Sequence, residues 1–192
     1  MGPKVRFTRQ QIVEAAFEIA RTEGLDKVTT RKVAETMGSS VAPIYVNFAG
    51  RDELLEALLE RIISLGQQLM REEDTGHPFE DMGRASLRFA MEYSLLFRDL
   101  VINGHASMNR YDEKMVPELI AMMQEDPGLQ GFSDEALETM LFKMRVFQLG
   151  LSVMAAGGML PDNYGINELN GILASAAADV IRSARMGKDQ EG

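Results

Sequence analysis

The 192-residue chain has no cysteine. Disulfides and thiolate metal sites are therefore excluded, and the composition suits a reducing cytoplasm, which is the expected location. Only two histidines occur, His77 and His105, and they stand in neither HExxH nor HxxxH spacing. GxSxG, Walker-type and GxGxxG motifs are missing as well, so no enzyme, cofactor or metal is expected. No apolar run approaches the roughly 18 residues that a membrane span requires. Lys4, Arg6, Arg9, Glu14, Glu18 and Arg21 break up the amino-terminal stretch, so no signal peptide can be drawn there. There is no repeat and no low-complexity segment.

What is present is an ordinary soluble composition, 45% hydrophobic and 26% charged, with enough chain for one or two cored domains. The formal net charge is −9, but it is unevenly spread. Residues 1–51 hold eight Lys/Arg against five Asp/Glu, a local charge of +3. Residues 52–192 hold twelve against twenty-four, a local charge of −12. Salt screens the acidic part within about 8–10 Å, so the local charge governs what the amino-terminal part can bind.

That part carries the strongest pattern. Thr8 is placed as an N-cap with Gln11 completing a capping box, and Phe7 and Ile12 are spaced as a hydrophobic staple. Ile12, Ala15, Ala16, Ile19 and Ala20 form one apolar stripe, and Gly24 ends the helix. Thr29–Phe48 then breaks into a short helix, a tight turn at Gly38, a serine cap at Ser40 and a second short helix. Val33, Ala34 and Met37 share one face, and Ile44 and Phe48 share another. Ala34 is small where two helices must cross closely. This is a helix-turn-helix pattern, whose second helix enters the DNA major groove. Arg51-Asp52-Glu53-Leu54-Leu55 opens a further helix, with acids in its first turn.

On Thr29-Thr30-Arg31-Lys32-Val33-Ala34, Gly38, Ser40, Tyr45, Phe48 and Arg51-Asp52-Glu53-Leu54-Leu55, residues 8–61 resemble the DNA-binding domain of the TetR family of bacterial transcriptional regulators. The resemblance covers about a quarter of the chain with specific motifs. The remainder is similar only in being helical and of suitable length. It implies an all-α fold. An N-terminal three-helix helix-turn-helix DNA-binding domain, 1–51, would precede a helical effector-binding and dimerisation domain, 52–192.

Candidate DNA-binding residues follow. Ser40 is expected to cap the second helix. Val41, Ala42 and Pro43 would face the groove, and being small or apolar they suit thymine methyl groups better than bidentate hydrogen bonds. Pro43 is tolerated in a first turn. The family often has polar or basic groups here, and this chain does not. Tyr45 and Asn47 are further candidates: the Tyr45 hydroxyl would reach a phosphate while its ring packs, as the family's tyrosine implies, or would be a wet tip on a core ring. Thr29 and Thr30 cap the preceding helix, with hydroxyls near phosphate. Arg31 would meet a guanine edge or a phosphate, or stand solvated. Arg51 opens a helix whose free amides favour phosphate. Lys4 and Arg6 read as a tail, or as a minor-groove arm.

Beyond residue 51, helices are expected over about 52–70, 79–96, 97–103, 112–125, 134–156 and 166–186, with loops at 72–78 and 103–105. Ser133 caps the 134–156 helix, whose Leu137, Leu141, Met144, Phe147, Leu151 and Met154 recur at three- and four-residue intervals. The last helix is rich in small residues, Gly171 and Ala174 to Ala178. The resemblance implies that these last two helices form a homodimer interface. Many of the fourteen methionines lie in the carboxy-terminal part and suit either an adaptable cavity or ordinary core filling. Met91, His105, Met144, Arg145 and Gln148 are the candidate ligand residues, with a surface or capping role open for His105. The expected protein is a dimeric repressor released from a palindromic operator on double-stranded DNA by a small-molecule effector, with no membrane partner. The alternatives are an architectural DNA-binding protein without ligand control, and a helical enzyme with an unrecognised site.

Overall fold

The computed structural model describes residues 7–103, 107–161 and 163–191. His105, Lys4 and Arg6 lie outside them. Among the described residues there is no strand, and the fold is all-α. The helices are α1 (Arg9–Glu23), α2 (Thr30–Thr36), α3 (Ala42–Asn47), α4 (Arg51–Glu72) and α5 (Pro78–Glu92). They continue with α6 (Ser94–Phe97), α7 (Ser107–Glu125), α8 (Asp134–Ala156) and α9 (Ile166–Glu191). A wide-turned π segment, Arg98–Ile102, follows α6, and single 3₁₀ turns occupy Leu25–Lys27 and Pro127–Leu129. No described helix is long and apolar enough to cross a membrane.

The chain packs as two compact units. One holds residues up to Leu65 together with Leu95–Tyr111, and the other holds Gly66–Ser94 and Asp112 onward. This division by packing is a different cut from the expected division of labour at 51/52, because α4 as far as Leu65 and the segment from Leu95 through the π turn fold with the amino-terminal unit.

In the first unit, α1 packs against α2 and α3. Ile12, Ala16, Ala20, Val28, Val33, Ala34, Ile44 and Phe48 are buried at its centre. The π segment is tied to this unit by one carboxylate. Asp99 accepts a hydrogen bond from the Leu25 amide at 2.8 Å, just where Gly24, at φ +100°, ends α1. A side chain on Gly24 would meet that same carboxylate oxygen at 2.8 Å.

In the second unit, α5, α8 and α9 pack mutually. Their core is Phe79, Met82, Leu87, Leu137, Met140, Leu141, Met144, Leu151, Leu169, Leu173 and Ala177, with Met123 and Leu129 from the α7 end. Methionine thus serves as flexible core filler, and Met144 is one of the fillers. Asp126, 2% exposed, supplies the missing amino-terminal cap of α5 from forty-seven residues away: its carboxylate accepts from the Phe79 amide at 3.0 Å and from the Gly128 amide at 2.7 Å. Arg84 and Arg88 of α5 bind Glu73 and Glu72 at the end of α4, and Glu80 and Glu92 on α5 itself.

The helix expected over 79–96 is broken. α5 stops at Tyr93, whose φ −124° and ψ 46° leave helical space, and α6 restarts at once. α7 begins at Ser107 rather than near 112 and runs through Pro117; α9 continues to Glu191 rather than 186.

Candidate nucleic-acid interface

The amino-terminal unit presents α3 as a short helix fixed on one side and bare on the other. α1 starts with the expected capping box, Thr8 and Gln11 satisfying each other's backbone amides. Thr29 caps α2, its hydroxyl accepting from the Lys32 amide at 3.1 Å. Gly38, at φ +62°, makes the turn to α3 in a conformation that disfavours residues with a Cβ. The Ser39 amide closes α2 onto the Ala34 carbonyl at 2.9 Å.

Ser40 does not cap α3, contrary to expectation. The cap position falls on Val41, with no side-chain bond, and the Val41 carbonyl accepts from the Ile44 and Tyr45 amides. The reason lies in Pro43. Of the two amides that a serine at the cap could bind, two and three residues on, proline removes the second.

Ile44 and Phe48, 0% and 2% exposed, anchor α3 to the core. A clasp that periodicity does not reveal holds its far end. The Arg9 guanidinium donates to the Asn47 carbonyl at 2.7 Å and to Glu53 at 2.8 Å, and lies 4.1 Å from the Phe48 ring centroid. Glu53 in turn accepts from the Ala49 amide at 2.7 Å, so one carboxylate joins α1 to the start of α4. That amide first, and then the Arg9 hydrogen bond, hold the Glu53 carboxyl below its ordinary value of 4.5. Two partners of the expected interface also serve the fold. The Asn47 side-chain amide donates to the Pro43 carbonyl at 2.8 Å and the Phe7 carbonyl at 3.4 Å. Arg51 Nε donates to the Val28 carbonyl at 2.8 Å.

The other side of α3 is open. Val41, Ala42, Tyr45 and Val46 are exposed, with Tyr45 at 57% and Val46 at 84%. Pro43 is half-buried beside them. Thr29 is exposed and Thr30 half-buried at the start of α2. Arg31 is exposed and lies 3.1 Å from Glu35 one turn on. Thr29, Thr30, Arg31, Ser40, Val41, Ala42, Pro43, Tyr45, Asn47 and Arg51 therefore all fall on α2, α3, the turn between them or the start of α4. Arg9 and Val46 belong with them. Arg9 acts across forty-four positions, beyond any periodicity, whereas Val46 was findable as the apolar residue left over when Ile44 and Phe48 claim the buried face.

The candidate ligand residues do not converge in the same way. Met144 is buried in the second unit's core, Met91 is exposed on α5, and Arg145 and Gln148 are half-buried on α8. An open groove of about 390 Å³ in that unit is lined instead by Phe79, Asp126, Ala177, Ile181, Arg185 and their neighbours, and includes none of them. Among the described residues no cluster of three or more His, Asp or Glu is set to hold a metal.

Residues 12–58 match the model of "Bacterial regulatory proteins, tetR family". The HTH-type transcriptional repressor DrrR1 of Streptomyces coeruleorubidus is 39% identical over 61 residues, which cover 32% of this chain and 23% of that one. The chain thus spans about a quarter of that relative's length. The nucleoid occlusion factor SlmA of Aliivibrio fischeri is 28% identical over 160 residues, covering 80% of this chain and 79% of that one. A tetR-family transcriptional regulator of Streptomyces coelicolor shares the fold with a TM-score of 0.66 at 19% identity, over 97% of this chain and 90% of that one. The helix-turn-helix geometry and the capped α1 agree with that match: residues 12–58 fit the tetR family of bacterial regulatory proteins, and the chain as a whole shares the fold of a tetR-family regulator.

Proposed function

We propose that this protein is a DNA-binding transcriptional regulator, a homodimer that represses from a palindromic operator and is released by a small-molecule effector. One observation carries the reading: α3 is anchored by Ile44 and Phe48 on one side and bare on the other, in the frame of a helix-turn-helix. Such a helix enters the major groove while hydroxyls and cations of the flanking elements meet phosphates. Thr29, Thr30, Tyr45 and Arg51 are the phosphate set, and Arg31 serves as a base or phosphate contact. The dimer is supported by α8, whose Phe142, Val146 and Leu149 are 68%, 57% and 41% exposed at helical spacing. An apolar stripe of that kind on a water-facing helix marks an interaction surface.

The family likeness suggests effector release; the candidates Met91, Met144, Arg145 and Gln148 all belong to the second unit, but none lines its open groove. Calorimetric titration of apolar ligands with and without operator tests it. An inducer must bind more weakly in the presence of operator, by the same factor that it weakens operator binding. A second reading has its own support. The similarity to SlmA spans 80% of the chain, and that relative is named for nucleoid occlusion rather than for repression by ligand. Sequencing the duplexes that the purified chain captures from a random pool separates the readings. A single near-palindrome supports the regulator. Broad capture without a shared sequence supports the architectural protein, and capture of nothing overturns both.

A further inference from the structure

Val46 is the most exposed large apolar residue among the described residues, at 84%. Nothing in its own subunit accounts for it. The core contacts of α3 are made by Ile44 and Phe48. Valine is a mediocre helix former, so a six-residue helix gains nothing from it. Nor does α3 offer the usual polar means of reading bases. It carries no charged residue. Pro43 has no amide hydrogen, and the Asn47 amide already donates to the Pro43 and Phe7 carbonyls. The bare face consists of two columns at i, i+4 spacing, Ala42 with Val46 and Val41 with Tyr45.

We infer that α3 reads thymine by its methyl group, with Val46 as the principal specificity-determining residue and Ala42 beside it. This rests on the DNA-binding reading above and deepens it. The C5-methyl of thymine is the one apolar group on a base edge in the major groove. Every other edge there presents donors or acceptors, and covering these with a valine leaves them unpaired and costs affinity. Val46 therefore favours thymine twice, by contact and by exclusion. Its β-branched side chain has one dominant rotamer in a helix, so docking costs it little freedom. The Tyr45 hydroxyl, in the neighbouring column, is left for the phosphate.

The test uses the full chain and the most enriched duplex from the random pool. Each thymine is replaced singly by deoxyuridine, which keeps pairing and all polar edge groups and removes only the methyl. Affinity is read by fluorescence anisotropy for wild type and for Val46→Ala, whose folding is checked by circular dichroism. In each half-site one uracil should weaken wild type about fourfold, the factor expected for one buried methyl-sized group. The same uracil should cost Val46→Ala almost nothing. Wild-type binding that tolerates uracil everywhere overturns the methyl reading while leaving DNA binding intact. Undiminished uracil sensitivity in Val46→Ala overturns the assignment to Val46. A pool with no enriched duplex removes the sequence-specific reading and this inference with it.

Discussion

Arg9 shows how one side chain can set the attitude of a helix it does not belong to. It reaches from the first turn of α1 to the last carbonyl of α3, to Glu53 and to the face of Phe48. Its ion pair is about half exposed, so water screens most of the Coulomb term, and the ring contact and hydrogen bond carry the rest. Arg9→Ala should lower stability by about 1 kcal/mol, or roughly 2–4 °C in melting temperature. Arg9→Lys should recover only part, since an ammonium does not stack as a planar guanidinium does. Equal melting of all three proteins would remove the clasp. Glu53 adds a pH signature. Its folded pKa lies below the ordinary 4.5, so its contribution is fully present above pH 4.5 and is lost as pH falls through the folded value. The melting difference between wild type and Glu53→Gln should be constant from pH 7 to 5 and close in more acidic buffer. A difference that persists at the lowest pH would assign the effect to packing instead.

Elements were legible in the sequence where their signals are local. Thr8 with Gln11, Gly24, Gly38 and Ser133 each act within a turn of their own position, and α8 runs from Asp134 to Ala156 as its periodicity predicts. What escaped is long-range or competitive. Asp126 caps α5 from forty-seven residues away, and Arg9 meets Glu53 across forty-four. Ser40 lost the cap to Val41 beside Pro43, which removes one of the two donors a serine there could bind. On α8 the stripe Leu137, Leu141, Met144 and Leu151 is core as its spacing suggests, yet Phe147 and Met154 are 41% and 42% exposed. With Phe142, Val146 and Leu149 they leave α8 apolar nearly all round. That face is the place to test dimerisation, because it lies outside the core that α8 shares with α5 and α9. Phe142→Lys with Val146→Lys should give a helical, folded monomer by sedimentation at micromolar concentration. If the double variant still sediments as wild type does, α8 is not the contact.

At the scale of the whole molecule the charge distribution makes the salt dependence diagnostic. DNA binding through cations releases counterions, and log affinity falls with log salt by about 0.9 per neutralised phosphate. Arg31 is a good gauge because its side chain is 86% exposed and pairs with Glu35 on the same helix. If it meets a phosphate in each half of a dimer, Arg31→Ala should make the slope shallower by roughly two and weaken all sequences alike. If it reads a base, the slope should change less and tolerance at one position should widen. The −12 of residues 52–192 enters separately. At about 0.1 M salt the screening length is near 10 Å, and only charges close to the DNA are felt. At about 0.01 M it reaches roughly 30 Å, the width of a small domain, and the acidic part begins to oppose binding. The log–log plot should therefore be straight above about 0.1 M and flatten below it. Anisotropy titrations across that range decide the matter. A plot straight down to the lowest salt would mean that the acidic residues never come within reach of the duplex, and a plot flat throughout would remove phosphate contact as the source of affinity.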